Sequence, residues 1–195
     1  MPINSDLVVV GTDPGGTEVA RFQSMRAGPG TIGTWRPIGV IKPTSNVTSV
    51  QFAGLGITPP AVLRLYATVR NPTASSTIYQ IRVNGEPDTT DWVMQAVWGD
   101  GTTVAAQRFL DASDIGACDL GFDTSIMATI TVGPGGYVTV VAPFVHPRGV
   151  DLLNSVIDVS RKNTAITSLT SVEVVATVVN TIGANSVFFL EYLAP

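Results

Sequence analysis

Apolar and polar side chains alternate with a period of two along most of the chain after residue 45. The clearest case is Val62–Arg70, where Leu63, Leu65, Ala67 and Val69 share one face and Arg64, Tyr66, Thr68 and Arg70 share the other. Successive side chains of a strand point to opposite faces, so this segment predicts a half-buried strand. The same reasoning predicts seven more strands: Thr77–Val83, Trp92–Trp98, Ser125–Val132, Tyr137–Phe144, Ser155–Ser160, Thr170–Val179 and Ser186–Leu193.

The residues between and within these segments favour the same fold class. Valine occurs 27 times and threonine 23 times, against 11 leucines, and β-branched side chains suit a pleated surface better than a helix. Gly133–Gly136 is a strong hairpin turn, and a short helix is plausible only at Thr102–Ala112. We therefore expect an all-β protein, an antiparallel β-sandwich of roughly eight or nine strands that is jelly-roll-like.

The first 45 residues differ from the rest. Short apolar pieces, Leu7–Val10 and Glu18–Phe22, are separated by turn signals at Asp13–Gly16 and Gly28–Gly30. We predict an extended N-terminal arm or loose hairpin over residues 1–45, used for docking, and a sandwich domain over residues 46–195.

Charge is scarce and excludes some partners. Charged residues are 13% of the chain, about half the usual share, and the formal net charge is −4. Binding to nucleic acid needs clustered Lys and Arg, so we expect no nucleic-acid partner. No apolar run is long enough for a membrane span, and no signal peptide is visible, so we expect synthesis in a cytoplasm and no membrane partner. Surfaces poor in charge point to contacts with other chains.

Few residues offer catalytic chemistry. His146 is the only histidine, Cys118 is the only cysteine, and no nucleophile motif accompanies them. The glycine motif at Gly28–Gly33 has the spelling of a dinucleotide site, but Thr34–Pro37 follows where a helix must begin. We interpret His146 as a locally bonded loop residue and Cys118 as a buried or half-buried residue. The sequence predicts neither an enzyme nor a cofactor.

Acidic residues concentrate in the middle of the chain, with Arg108 as the only basic residue among them. Calcium binds such oxygen clusters, but Asp is also an ordinary turn residue, and the spacing fits no EF-hand loop. The turn interpretation is favoured and calcium is the alternative. The eight residues are Glu86, Asp88, Asp91, Asp100, Asp111, Asp114, Asp119 and Asp123.

The three tryptophans allow two interpretations. Trp92 and Trp98 share parity along one predicted strand and therefore one face. Together with Trp35 they suit either a sugar-stacking platform or core packing, and core packing is favoured.

Three strand segments resemble a recurring pattern in virion proteins of tailed bacteriophages: Asn46–Leu55 (NVTSVQFAGL), Leu63–Asn71 (LRLYATVRN) and Tyr79–Asp88 (YQIRVNGEPD). The C-terminal part, Asn163–Leu193, is similar to the matching end of that pattern. Glu86 stands where the pattern usually carries Asp, and Pro87 follows it. The resemblance implies a jelly-roll-like sandwich that serves as a building block of virions, commonly as a trimer or another homo-oligomer, and it carries no catalytic residues.

These observations predict a phage virion structural protein. A capsid decoration (cement) protein is the first hypothesis, with a homo-oligomer, favoured as a trimer, bound to other virion proteins such as the major capsid protein. A tail or fibre component that binds host glycans is the alternative, and a glycan-cleaving enzyme that uses Asp88 and Asp91 ranks below it. We expect the arm to supply an interaction surface that includes Arg26, Trp35 and Arg36.

Overall fold

The chain folds as an antiparallel β-sandwich. A computed structural model describes residues 7–12, 18–22, 34–99, 102–119, 121–148 and 152–194. Every strand pairing within these ranges is antiparallel, which confirms the predicted all-β sandwich. The strands are β1 Leu7–Thr12, β2 Glu18–Phe22, β3 Thr34–Lys42, β4 Ser49–Ile57, β5 Ala61–Arg70, β6 Thr77–Val83, β7 Trp92–Gly99, β8 Val104–Leu110, β9 Asp114–Cys118, β10 Asp123–Val132, β11 Val138–Arg148, β12 Leu152–Lys162, β13 Leu169–Ala176 and β14 Val187–Ala194.

The two sheets differ greatly in width. The large sheet has the order β1-β2-β3-β14-β5-β10-β11-β12-β7-β8, and the small sheet has the order β4-β13-β6-β9. The edge strand β9 packs on β10, β11 and β12 of the large sheet. Strands β7 and β8 therefore lie beyond the edge of the small sheet, at one end of the large one.

The core lies between the sheets and is built from alternate residues. On β5, Leu63, Leu65 and Val69 are fully buried and Ala67 is nearly so, as the alternation predicts. They pack against residues of the small sheet such as Val172 and Val174. The inward face of β5 is therefore aliphatic along its whole length.

The large sheet includes part of the predicted arm. Strand β3 pairs with both β14 and β2, and Ile41 in β3 is 2% exposed within the core cluster. Strands β1 and β2 pair with each other. The sandwich therefore contains Thr34–Lys42, which the turn signals assign to the arm, because its apolar residues complete the core next to β14.

Two segments depart from the predicted secondary structure. The short helix suggested at Thr102–Ala112 is wrong, because Val104–Leu110 forms strand β8 and pairs with β7 over its whole length. Its Ala, Gln, Arg and Leu residues favour helices in isolation, but the free edge of β7 offers a full set of backbone partners. The short strand β9, Asp114–Cys118, was not predicted.

The predicted hairpin turn at Gly133–Gly136 is confirmed. The Gly133 amide donates to the Tyr137 carbonyl at 3.0 Å, which closes the turn between β10 and β11. Gly136 has a φ of 80°, and a Cβ atom there would lie 2.2 Å from the Ile166 carbonyl oxygen. Only glycine satisfies both conditions.

Candidate interaction surface

The face of the large sheet that points away from the small sheet, here called the outer face, carries a continuous apolar row. Residues directly opposite each other on neighbouring strands share a face. The flanking pairs Ile126–Phe144 and Thr129–Val141 place Met127 beside Pro143, which joins the two halves of the row. In strand order from β3 to β8 the row is Val40, Phe189, Tyr66, Met127, Pro143, Ile157, Val97 and Ala106.

A second row runs beside the first and is apolar only in its centre. Val141 pairs with Val159, and Gln95, Arg108 and Thr129 complete the row around them. At the other end of the row Arg64 pairs with Glu191, so opposite charges lie next to each other. The charged side chains of this row are thus at its ends, and its middle is uncharged.

The outer face exposes more large apolar side chains than any other surface of the described residues. Ile157 is 50% exposed, Met127 48% and Val97 41%. Isolated exposed apolar residues are normal, but a contiguous patch usually marks an interaction site. The other large apolar side chains exposed on this face are Val104, Leu110, Val141, Val145 and Val159.

A shallow groove of about 340 Å³ runs along the outer face where β5, β10 and β14 meet. Its walls include Tyr66 and Phe189, whose ring centroids are 6.2 Å apart. Ser125, Thr68 and Met127 complete the lining on β5 and β10. Apart from the Tyr66 phenol, the side chains that line this groove are apolar or uncharged.

Strand β8 forms the free edge of the large sheet within the described residues. Val104 is 80% exposed and Leu110 is 65% exposed, and Arg108 is the only charged residue of the strand. An exposed edge strand with few charges and no proline readily pairs with another chain. The edge thus extends the apolar outer face.

The three residues predicted for the interaction surface fall in different places. Arg26 lies outside the described residues. Trp35 pairs with Leu193, and the Arg64 guanidinium lies 3.8 Å from the centre of its ring, which places Trp35 at the rim of the outer face. Arg36 pairs with Tyr192, which packs against the core, so Arg36 belongs to the opposite side of the sheet.

The tryptophans do not form one platform. Trp92 is fully buried, and its indole nitrogen donates to Glu86 Oε2 at 2.9 Å. Trp98 is partly buried against Ala117, Phe144 and Val156. The preference for core packing is confirmed for Trp92, and Trp98 shares its face of β7.

Most of the described acidic residues of the middle segment have partners that lie apart from one another, and two of them share a cation. The ammonium group of Lys162 forms ion pairs with both Glu86 and Asp91. Asp123 pairs with Arg70, Asp114 accepts from Gln80, and Asp119 accepts from Ser76. The described part of the chain contains no group of three or more His, Cys, Asp or Glu residues that could hold a metal, and Asp100 lies outside it.

Asp88 and Asp91 do not have the electrostatics of a glycosidase pair. Hydrogen bonds from Thr90 lower the pKa of Asp88, and the hydrogen bond from Lys162 lowers the pKa of Asp91. A glycoside hydrolase needs one carboxyl with a raised pKa to protonate the leaving group. The pKa of each of these two carboxyls is shifted in the opposite direction.

The only histidine and the only cysteine of the chain both lie in strands. The backbone of His146 pairs with Asn154 within β11 and β12, so the residue lies in a strand and the interpretation of it as a loop residue is wrong. Cys118 is fully buried, as predicted, and burial raises the pKa of its thiol to about 11. A buried neutral thiol is a poor nucleophile.

Comparisons with known proteins give no relative from which a role for this surface could be inferred. No protein-family model matches the chain, and no curated protein or solved structure matches it either. Among the described residues there is also no helix with the length and apolar character required to cross a membrane. The case for a function therefore depends on the geometry of the outer face.

The sequence pattern missed the residues that form the centre of this surface. The alternation in Val156–Ser160 was visible, but alternation does not reveal which face of a strand is inside. Ile157 and Val159 look like core residues in the sequence, and their exposure emerges only when β12 takes its place in the sheet.

Proposed function

We propose that this protein is a non-enzymatic structural protein that assembles with copies of itself through the outer face of its large sheet. The observation that supports this most strongly is β12, which exposes Ile157 and Val159 and buries Asp158 and Ser160. Exposing aliphatic side chains to water is unfavourable by about 25 cal/mol per Å². A second copy seated on this face would remove that cost.

The size of the outer face suits a stable interface. Six adjacent strands, β5-β10-β11-β12-β7-β8, lie about 4.8 Å apart, and each turns about four residues outward at a spacing of about 7 Å, which gives a footprint of about 800 Å². A typical specific interface buries about 800 Å² on each partner. The apolar centre and the charged row ends, Arg64–Glu191 and Arg108, match the usual division into an apolar core and a polar rim.

The setting we propose is the virion of a tailed bacteriophage, with the protein as a capsid decoration (cement) protein and a trimer as the expected oligomer. The low charge of the chain and the segment resemblance to virion proteins support this setting. A cement protein bridges neighbouring capsomers through apolar and backbone contacts. With the outer face covered by another copy, the free edge of β8 would offer both kinds, through its backbone and its exposed Val104 and Leu110. The major capsid protein would be its partner on the particle.

Self-association is tested by replacing Ile157 with lysine. We expect the unmodified protein to sediment as a multiple of 20.4 kDa at micromolar concentration. Ile157→Lys places a charge at the centre of the apolar row and should shift the protein to a monomer, with at least a tenfold weaker association constant.

Ile78→Lys is the matched control. Ile78 is the same residue type, is 41% exposed and lies on β6 of the small sheet. Its substitution should leave the oligomer intact. A monomeric unmodified protein, or equal dissociation of both variants, would contradict the proposal.

The virion setting has its own test. In a density map of particles from the phage that encodes the chain, we expect this fold on the outer capsid surface between capsomers. Purified particles that lack the chain would contradict the virion setting, and a map that places it on the tail would replace decoration by a tail function. Neither result bears on self-association, so the two parts of the proposal can fail separately.

A further inference from the structure

The inner face of β12 carries polar groups in a place where the rest of the core is apolar. The side chain of Asp158 is 3% exposed and that of Ser160 is 1% exposed. Asp158 Oδ1 and Ser160 Oγ have no hydrogen-bond partner among the described residues. A buried carboxylate without a donor or a cation is strongly unfavourable, so this position needs a physical explanation.

The residues paired with Asp158 on the two strands beside β12 provide neither a hydrogen-bond donor nor a cation for its carboxylate. Asp158 lies between Ala142 on β11 and Ala96 on β7, and neither alanine side chain can donate a hydrogen bond. Lys162 is on the same face of β12, but it is engaged by Glu86 and Asp91. The ionised form of Asp158 would therefore be unsupported from within the large sheet.

The element that packs against β12 from the small sheet brings another acid. Asp114 begins β9, the edge strand of the small sheet, and accepts a hydrogen bond from Gln80 at 3.0 Å. Burial, and then the charge of Asp114, raise the pKa of Asp158 to about 7. Burial also raises the pKa of Asp114.

Among the side chains that the structure describes, no other charged group faces Asp158 from the strands around it. Burial raises the pKa of Cys118 on β9 and of Tyr79 on β6, so both are neutral near pH 7. The buried residues described on β11 and β7 are not ionisable: Val138, Val140, Ala142 and Phe144 on β11, and Trp92, Met94 and Ala96 on β7. Asp114 and Asp158 are thus the acids described at this contact.

We propose that Asp158 holds a proton in the folded protein, and that this buried acid makes the packing of β9 on β12 sensitive to pH. The proton removes the charge of a carboxyl group that is 3% exposed and whose Oδ1 has no hydrogen-bond partner among the described residues. A divalent cation fits the site less well, since calcium takes six to eight oxygen ligands and this site offers two carboxylates and one hydroxyl. The inference does not depend on the proposed self-association.

The sign of the pH dependence follows from the direction of the shift. The folded protein binds this proton more tightly than the unfolded chain does, because the pKa of Asp158 is raised above the ordinary value of 3.8. The stabilising contribution is fully present below that unfolded value and is lost as the pH rises through about 7. Above that range we expect β9 to separate more readily from β12.

The test compares the unmodified protein with Asp158→Asn, which keeps the shape of the side chain without a titratable proton. The denaturation midpoint of the unmodified protein should fall as the pH rises from 5.5 to 8.5, whereas that of Asp158→Asn should stay level. Asp123→Asn is the control, because Asp123 is exposed and pairs with Arg70; it should keep the fall. Amide exchange of β9 should accelerate over the same range only where Asp158 is intact, after correction for the intrinsic effect of pH.

A direct measurement keeps the inference falsifiable if the variant does not fold. In the unmodified protein, the carboxyl carbon of Asp158 should titrate near pH 7 by NMR, and Asp114→Asn should lower that midpoint. A carboxylate that is already ionised at pH 5.5 would overturn the proposal. So would an Asp158→Asn variant that retains the full pH dependence.

Discussion

Strands β5 and β12 lie in the same sheet and have the same alternation, but they bury opposite kinds of residue. On β5, Leu63, Leu65 and Val69 face the core and the polar side chains face outward. On β12, Asp158, Ser160 and Lys162 face the core while Ile157 and Val159 are exposed. The difference shows that β5 is held by apolar burial between the sheets. The inner face of β12 is mostly polar, and of its polar side chains Lys162 forms ion pairs while Asp158 Oδ1 and Ser160 Oγ have no hydrogen-bond partner among the described residues.

The largest effect is expected where β5 contributes to the core. Leu65→Ala removes a fully buried side chain and should lower the free energy of unfolding by about 4 kcal/mol. Ile157→Ala on the exposed side of β12 should cost less than about 1 kcal/mol, measured by denaturation at a concentration where the protein is monomeric. If both substitutions lower the free energy of unfolding equally, Ile157 contributes to the core as Leu65 does, and the two strands do not differ in this respect.

The polar interior of β12 is tested at Lys162. Lys162→Met leaves Glu86 and Asp91 without their buried cation and should cost about 3 kcal/mol. The other lysine of the chain, Lys42, is exposed, and Lys42→Met should change stability by no more than about 0.5 kcal/mol. If chemical denaturation shows the same loss in free energy of unfolding for Lys162→Met and Lys42→Met, the buried ion pairs do not stabilise the end of β12.

The smallest change in stability is expected at two buried serines, one whose hydroxyl has a hydrogen-bond partner and one whose hydroxyl has none. Ser113 is fully buried and donates to the Ile81 carbonyl at 2.6 Å, so Ser113→Ala should cost about 1 kcal/mol. Ser160 is equally buried but has no partner, so Ser160→Ala should be neutral or stabilising by about 0.5 kcal/mol. If Ser160→Ala lowers the free energy of unfolding as much as Ser113→Ala does, the Ser160 hydroxyl has a hydrogen-bond partner and the comparison fails.

Much of the fold could be predicted because alternation and turn chemistry are local. The burial of Leu63 and Leu65, the hairpin at Gly133–Gly136 and the core position of Trp92 all follow from parity or from backbone preferences. Strand β8 could not be predicted, because its residues favour a helix until the edge of β7 offers a backbone to pair with. The first core strand, β3, was missed because glycine and proline near it suggested an arm.

The partners of the candidate sites were beyond prediction for a different reason. Lys162 lies 71 positions after Asp91 in the chain, so the acid-rich segment looked almost uncompensated. Asp114 and Asp158 are likewise distant in sequence, and only the packing of β9 on the large sheet brings their charges together.

The sequence by itself determined the strand class of this protein, the faces of its regular strands and the absence of a familiar catalytic motif, because those properties depend on neighbouring residues. The tertiary structure alone decided which face of β12 is buried. A strand with Ile157 and Val159 on one side and Asp158 and Ser160 on the other satisfies the period of two in either orientation. Its orientation is set by the pairings with β11 and β7, and these turn the aliphatic side outward.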